Sequence, residues 1–592
     1  MMRRKVSLMA ALFALILCSI CHAQGPPGKL YFVDQRHPQA DDTNPGTQFA
    51  PLKTISAAAA LAKAGDTVYI ASGVYRERVL IEESGTADGP IRFQASPAAN
   101  VIVTGADAIT DWRQEEEPGV FSTPWPYVFI GWSANRAHPG DDHHAMVGRA
   151  EQVFVKGYPL HQVLERAHLS RGSFYVDQEK RRLCVRGKHD EDLAKVLVEA
   201  SVRDTVWDVQ GEYVQTRGIR FRYAANKAQS GAVVLRKAGD VLEDCVVERM
   251  NSIGATSTGP DVTIRRCTFQ DNGQMGFSAG SAHNLLFTGC LVRNNNTKDW
   301  SRGWEAGGNK LCLCRGVVLE NSRFVDNRGN GIWFDIGNED CTVRNCLIAD
   351  NEDCGIFYEI SYGLHAHDNV IVGNGFTNTP GAWGAQAAIS LSSSPGCVIE
   401  RNLMVGNREG FNFREQARTT PRIGKREPEE PVWNHDQTVR NNIIAYNRDA
   451  QTWGWFDVLD ERHFPPDMQR KPADLKQGEP VGTLGEMQID GTGRPVNLVL
   501  DQLNLNFSDN LYDAAPGQEL FNWGCAWRHH VRFSDLEKVR EELNLEQGSV
   551  QAPFQFADYL TRDFRVRAGS IALLMGCYPR GEVPGVVLGT ID

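Results

Sequence analysis

Gly331-Ile332-Trp333-Phe334-Asp335 and Gly355-Ile356-Phe357-Tyr358-Glu359 stand in register with each other at an offset of 24 residues. They belong to a longer repeat, from about Val241 to Asn447, in which alternating apolar residues lead to one small side chain, further apolar positions and a closing asparagine. The closing residues are Asn272, Asn295, Asn327, Asn351, Asn374, Asn407 and Asn447, spaced by 23, 32, 24, 23, 33 and 40, so the basic unit is 23 to 24 residues. Period-2 strands broken by Gly and Asn turns at that interval describe the coils of a parallel β-helix. Successive coils stack roughly 4.8 Å apart, so the two segments place one carboxylate above another.

Three coils exceed the basic length, and the surplus reads as lying between the closing asparagine and the next strand. The segments holding Trp300 to Asn309, Phe376 to Trp383 and Arg418 to Glu430 are therefore expected to wall one edge of the strands that carry Asp335 and Glu359. Insertions confined to one face of a solenoid mark its binding side.

Outside the repeat, residues 1–23 combine a basic start (Arg3, Arg4, Lys5) with an apolar run too short to span a membrane, which reads as a secretory leader cleaved near Ala23. Residues 24–110 read as an N-terminal cap and first coils. The alanine-rich stretch Thr54 to Ala64, ended by Gly65, is the expected helical cap and Asp66 to Ile70 a strand. The coil rhythm disappears over 111–205, an expected β-subdomain with strands near Gln152 to Val155 and Gly172 to Val176. It resumes over 206–515, and 516–592 form a last coil and cap. There, Ser534 with Glu537 suggests a capping box for a helix to about Leu543, and Phe564 to Val566 a last strand.

The chain carries 62 basic and 73 acidic residues, and without the leader 59 against 73, a net −14. That field disfavours nucleic acid. No other stretch approaches membrane-spanning length. Twelve of the fourteen cysteines lie beyond the leader. Disulfides are one reading in an exported protein, but Cys245, Cys267, Cys290 and Cys346 hold the ladder position that Asn369, Asn402 and Asn442 hold later, which favours buried thiols. Cys312 and Cys314 lack a second pair for zinc. His365 with His367, and Asp141-Asp142-His143-His144, lack further ligands, so no metal is expected.

With Asp335 outward, alternation puts Ile332, Phe334 and Ile336 inside with Trp333 outside, and Ile356, Tyr358 and Ile360 inside with Phe357 outside. Two carboxylates and two aromatic faces then share one sheet. Like charges stacked across strands cost stability, and coupled carboxyls do not both ionise easily, so one keeps its proton. Such a pair cleaves glycosidic bonds with Asp335 as nucleophile and Glu359 as acid/base, while aromatic faces hold sugar rings. Glu305 and Lys310, in the first insertion, and Trp383, in the second, are candidate sugar ligands. Ser392, Arg414 and Glu415 follow on later coils, and Glu415, eight residues past Asn407 as Asp335 is past Asn327, is a rival carboxylate. Trp453, Trp455 and Asp457 echo the Trp-Phe-Asp pattern and read better as a packed cap.

The Trp-Phe-Asp of 333–335 and the Tyr-Glu-Ile-Ser of 358–361, one coil apart, resemble the catalytic pair of glycoside hydrolase family 120, retaining β-xylosidases on a right-handed β-helix. The resemblance spans roughly residues 300 to 415 and implies an Asp nucleophile, a Glu acid/base one coil later and a xyloside substrate; no cofactor is expected for such a hydrolase. Gly73-Val74-Tyr75-Arg76-Glu77 and Asp563-Phe564-Arg565 resemble secreted, pectin-lyase-like right-handed β-helices more generally. The expected fold is thus all-β, a right-handed parallel β-helix with an inserted β-subdomain and helical end caps. The partner is an oligosaccharide or polysaccharide.

Two other classes stay open. A polysaccharide lyase needs a Lys or Arg base and commonly a Ca²⁺ site, and Lys310 or Arg414 would be its base. A non-catalytic glycan-binding β-helix would share the fold without the chemistry.

Overall fold

The computed structural model describes residues 28–129, 147–377, 386–416, 418–456, 488–489, 491, 495–496, 500–515, 517–525 and 529–591. The leader, Asp141 to His144, Trp383 and Asp457 lie outside them.

Short strands build three sheets of thirteen strands each. Each coil contributes one strand to every sheet, and the pairings along the stack are parallel, as at Ile332↔Ile356 and Ile356↔Ile389. The sheet bearing the acids ends with an antiparallel strand, His529–Phe533. One continuous apolar core runs from Tyr31 to Leu545.

The expected asparagine ladder is present as a chain of buried side-chain bonds. Asn272 Nδ2 donates to Asn295 Oδ1, Asn295 to Asn327, Asn327 to Asn351, Asn351 to Asn374 and Asn374 to Asn407, each at 2.9 Å. At a second corner Asn369 bonds Asn402 at 2.9 Å and Asn402 bonds Asn442 at 3.1 Å, while Cys346 N–H donates to Asn369 Oδ1 at 3.0 Å. The cysteines at this corner are free thiols, as are all the described ones, buried except for Cys312. The disulfide alternative is thereby corrected: a ladder stacks equivalent positions one above another, and small buried thiols fill them without cross-linking.

The alternation holds inside each strand and stops at the acids. Ile332, Phe334, Ile356 and Tyr358 lie in the solenoid core, and Trp333 and Phe357 face away from it, in a separate cluster with Cys354 and Ala387. Ile336 and Ile360 do not continue the inward row. Their φ angles of 57° and 38° place them in the left-handed region, so the strands end at Asp335 and Glu359 and the chain turns a corner there.

The third insertion also departs from expectation. It leaves after the strand Glu409–Glu415 as an antiparallel hairpin, Arg418–Arg422 against Lys425–Val432. It therefore walls the far edge of the sheet, opposite the edge at which the strands Gly307–Cys312 and Ala387–Ser392 begin.

The cap helix is Ile55–Leu61, with Thr54 Oγ accepting from Ala57 N–H, and it ends before Gly65 because Ala62 is already extended. It packs against the first strands of two sheets, Leu30–Val33 and Val79–Ile81. The described strands between Ala106 and Ser201 form two small sheets, mainly antiparallel, with a core of their own around Trp112, Phe174 and Leu183. The late helix, Leu536–Leu543, is capped by Asp535 rather than Ser534: the Asp carboxylate accepts the Glu537 N–H. The strand expected at Phe564 to Val566 falls at Val566–Arg567 and is not the last: it pairs in parallel with a later one, Thr590–Ile591.

Candidate active site

Asp335 and Glu359 end adjacent strands of one sheet. The column they occupy runs Cys312, Asp335, Glu359, Ser392, Arg414, set by the pairings Cys312↔Asp335, Phe334↔Tyr358, Glu359↔Ser392 and Ser392↔Arg414. Two residues back, Lys310 pairs with Trp333, and Trp333 with Phe357 at a ring-centroid separation of 5.5 Å. The face is roofed rather than open: Asp335 is 7% exposed and Glu359 4%. Trp333 and Phe357 are likewise buried, against the expectation of a solvent-facing sheet.

Lys310 joins three of the predicted residues. Its Nζ lies 2.8 Å from Asp335 Oδ2 and 3.0 Å from Glu305 Oε1, and 4.2 Å from the centre of the Trp333 ring. Its long side chain spans the two-residue offset between its own register position and that of Asp335. Burial pulls the ammonium down, but the Asp335 and Glu305 carboxylates outweigh it and hold Lys310 above the ordinary lysine range. Glu305 is fixed in turn by Gln229 Nε2, which donates to Oε2 at 2.9 Å.

Both Glu359 oxygens receive donors, Arg418 Nη1 at 2.9 Å and Trp333 Nε1 at 3.2 Å. Burial, then the Asp335 carboxylate, push the Glu359 carboxyl up, against the opposing pull of Arg418 and Lys310. One carboxyl salt-bridged to an ammonium and a neighbour pushed toward its protonated form make an asymmetric pair, in which the two carboxyls do not share one environment.

Arg414 lies in the acid column, two coils beyond Glu359, with burial lowering its guanidinium to about 10. Glu415 is not a rival. It occupies the corner position that Ile336, Ile360 and Ser393 hold on earlier coils, is fully buried, and accepts the Asn434 N–H at 2.8 Å. Counting from the asparagine misplaced it because the corner from Asn407 to Phe411 is one residue shorter than that from Asn351 to Ile356, and both Ile356 and Phe411 pair with Ile389. Trp453 pairs with Asn412 beyond the acids.

Arg418 is the residue that sequence reasoning missed as a ligand of the site. It is 59 residues from Glu359 and outside the coil repeat, so no periodic signal marks it. Among the described residues no cluster of three or more His, Cys, Asp or Glu side chains is placed to hold a metal. His365 bonds Glu400 and His367 bonds Asp368 instead. A separate concavity of about 510 Å³ on the first coils, between Phe32, His37 and Tyr69, is lined by a single carboxylate, Asp34, and does not compete with the pair.

The family described as "right handed beta helix region" matches residues 226–404, and a family of proteins of unknown function, DUF1565, matches residues 39–82. The fold is a right-handed parallel β-helix. Among solved structures, that of XylC in complex with xylose superposes with a TM-score of 0.58 at 16% identity, covering 83% of this chain and 85% of that one. Two curated relatives match locally. The uncharacterized protein YwoF of Bacillus subtilis (strain 168) is 38% identical over 68 residues, 12% of this chain and 14% of its own length. The pectate lyase PEL9 of Emericella nidulans is 31% identical over 109 residues, 18% of this chain and 23% of its own length. The matched region thus spans under a quarter of either relative. Among the described residues no helix is long and apolar enough to cross a membrane.

Proposed function

We propose that the chain is an exported glycoside hydrolase that cleaves a neutral oligosaccharide or polysaccharide, a xyloside in the first instance, with retention of configuration. The observation that carries this reading is the asymmetric pair: Asp335 bridged to Lys310 at 2.8 Å, and Glu359 one coil on with its carboxyl pushed up by burial and by Asp335. A strand spacing of roughly 4.8 Å suits a retaining pair, whose carboxyl groups stand about 5 to 5.5 Å apart.

In the first half-reaction the Asp335 carboxylate attacks the anomeric carbon while Glu359 gives its proton to the departing glycosidic oxygen. In the second, Glu359 takes a proton from water, the oxygen of that water attacks the same carbon, and Asp335 leaves. In this reading Lys310 and Glu305 bind sugar hydroxyls beside Asp335, and the buried Trp333 and Phe357 back the acids with an apolar wall. The xylose bound by XylC supports the choice of sugar through likeness of fold. The lyase reading is disfavoured because both of its candidate bases stay charged at neutral pH: two carboxylates hold Lys310 above the ordinary lysine range, and burial lowers Arg414 only to about 10, which leaves each a poor base.

Hydrolysis of aryl glycosides of different sugars, followed by NMR of the first-formed anomer, tests the proposal. Retained configuration is expected, with Asp335→Ala and Glu359→Ala each abolishing turnover while the solenoid stays folded. Near-normal rates in either variant would remove the pair from the mechanism. Unsaturated products absorbing near about 235 nm, from proton abstraction beside a uronate carboxyl, would replace the hydrolase with a lyase.

A further inference from the structure

The acid/base of a retaining enzyme must be protonated for one half-reaction and ionised for the other, so its environment has to favour neither state strongly. Around Glu359 the opposing influences come from separate elements. Burial and Asp335, on the neighbouring coil, favour the protonated carboxyl, whereas Arg418, from the hairpin, and Lys310 favour the ionised one. Arg414, two coils on, also feels the Glu359 charge. Of the cations, Lys310 is already shared between Asp335 and Glu305, while Arg418 donates directly to Glu359 Oε1 at 2.9 Å.

The hairpin that carries Arg418 is pinned at a second point. Glu339, 4% exposed, follows the corner after Asp335 and accepts Arg422 Nε at 2.9 Å and Ile423 N–H at 3.1 Å from the hairpin, together with Arg315 Nε at 3.0 Å. Arg422 also lies over the Tyr362 ring at 4.0 Å. Gly337 lets the hairpin approach: its φ is 62°, and a Cβ there would run into the Pro421 carbonyl.

We propose that the hairpin is a strap that delivers Arg418 to Glu359 as a positioning residue for the acid/base step, orienting the carboxyl and supplying its counter-charge whenever it gives up its proton. The strap is anchored by Glu339 and Arg422, which act on Glu359 only through Arg418. The inference rests on the hydrolase reading and extends it to a residue outside the coil repeat.

The pH dependence of kcat/KM on an aryl xyloside, in wild type, Arg418→Met, Arg418→Lys and Arg422→Met, tests the strap. Removing the cation strengthens proton binding at Glu359, so the alkaline limb moves up by about half a pH unit or more in Arg418→Met. Arg422→Met shifts it in the same direction, Arg418→Lys keeps it near the wild-type position, and the double variant Arg418→Met/Arg422→Met adds no further shift. A hairpin that merely packs would lower stability and rate evenly across pH with the limb unmoved, and that result overturns the proposal. Infrared difference titration of wild type against Glu359→Gln follows the same carboxyl without turnover. If its midpoint rises in Arg418→Met although Asp335→Ala still turns over, the strap's hold on Glu359 stands and the two-carboxylate mechanism falls. If it does not move, the strap falls alone.

Discussion

Glu409 shows what burial does to a carboxyl that lacks a cationic partner of the kind Lys310 gives Asp335. It is 7% exposed, accepts Asn412 Nδ2 at 2.9 Å, and burial raises it from an ordinary 4.5 to about 7. A carboxyl that binds its proton more tightly in the folded state contributes stability that is fully present below its unfolded value and lost as pH rises through the folded one. Wild type is therefore expected to lose stability between about pH 4.5 and 7 through this group, and Glu409→Gln, which cannot ionise, is not. The stability difference between variant and wild type should grow in favour of the variant across that window, by up to about 3 kcal/mol. Thermal melts at both pH values check it, and a difference that stays constant would clear Glu409. At the same scale, the acids were legible in sequence because they recur with the coil. Lys310 was legible because its own register falls two residues from Asp335 and its side chain bridges the gap. Glu415 was misread because one corner is a residue shorter, a change the Gly355 and Gly410 alignment registers and the asparagines do not.

At the scale of the element, the corner asparagines define the coil more firmly than the strands do. Most strands that alternate with them are only three or four residues long, as at Arg323–Val325 and Leu347–Ala349, too short to fix register by pairing alone. Each asparagine bonds both its neighbours: Asn351 accepts the N–H and the Nδ2 of Asn327 at 3.2 and 2.9 Å, and donates to Phe324 O and Asn374 Oδ1. Asn351→Ala orphans two buried donors on Asn327 and an acceptor on Phe324. At about 1 to 3 kcal/mol for each unsatisfied group, the expected loss in urea unfolding is about 3 kcal/mol or more. A loss below about 1 kcal/mol would mean that strand pairing, not the ladder, holds the corner. The ladder's regularity made the fold readable from spacing alone. The hairpin had no such regularity. Its placement depends on where the chain leaves the coil, after Glu415 rather than before Glu409, and interval counting cannot distinguish those exits.

Over the whole molecule a stack of coils has two ends, each of which would expose apolar core and unpaired strand edges to other chains. The end at Leu30–Val33 is covered by the helix Ile55–Leu61, whose Ile55, Ala58 and Ala59 are buried in the continuous core. The Ile55 N–H reaches Glu77 Oε1 at 3.0 Å and the Ser56 N–H reaches Glu77 Oε2 at 2.9 Å, tying the helix N-terminus to the first coil. The acids lie many coils away, and in a solenoid each coil touches only its neighbours. Damage to the cap should therefore stay local. Ile55→Asp buries a charge at a fully covered site, and the helix is expected to detach rather than accept it. The exposed end should then promote end-to-end association, visible as concentration-dependent light scattering and a second, lower thermal transition. The main transition and the environment of Trp333 should change little. A single transition shifted as a whole would instead mean that the cap and the acid-bearing coils unfold as one unit, and that the strain of losing one end is carried along the full length of the core.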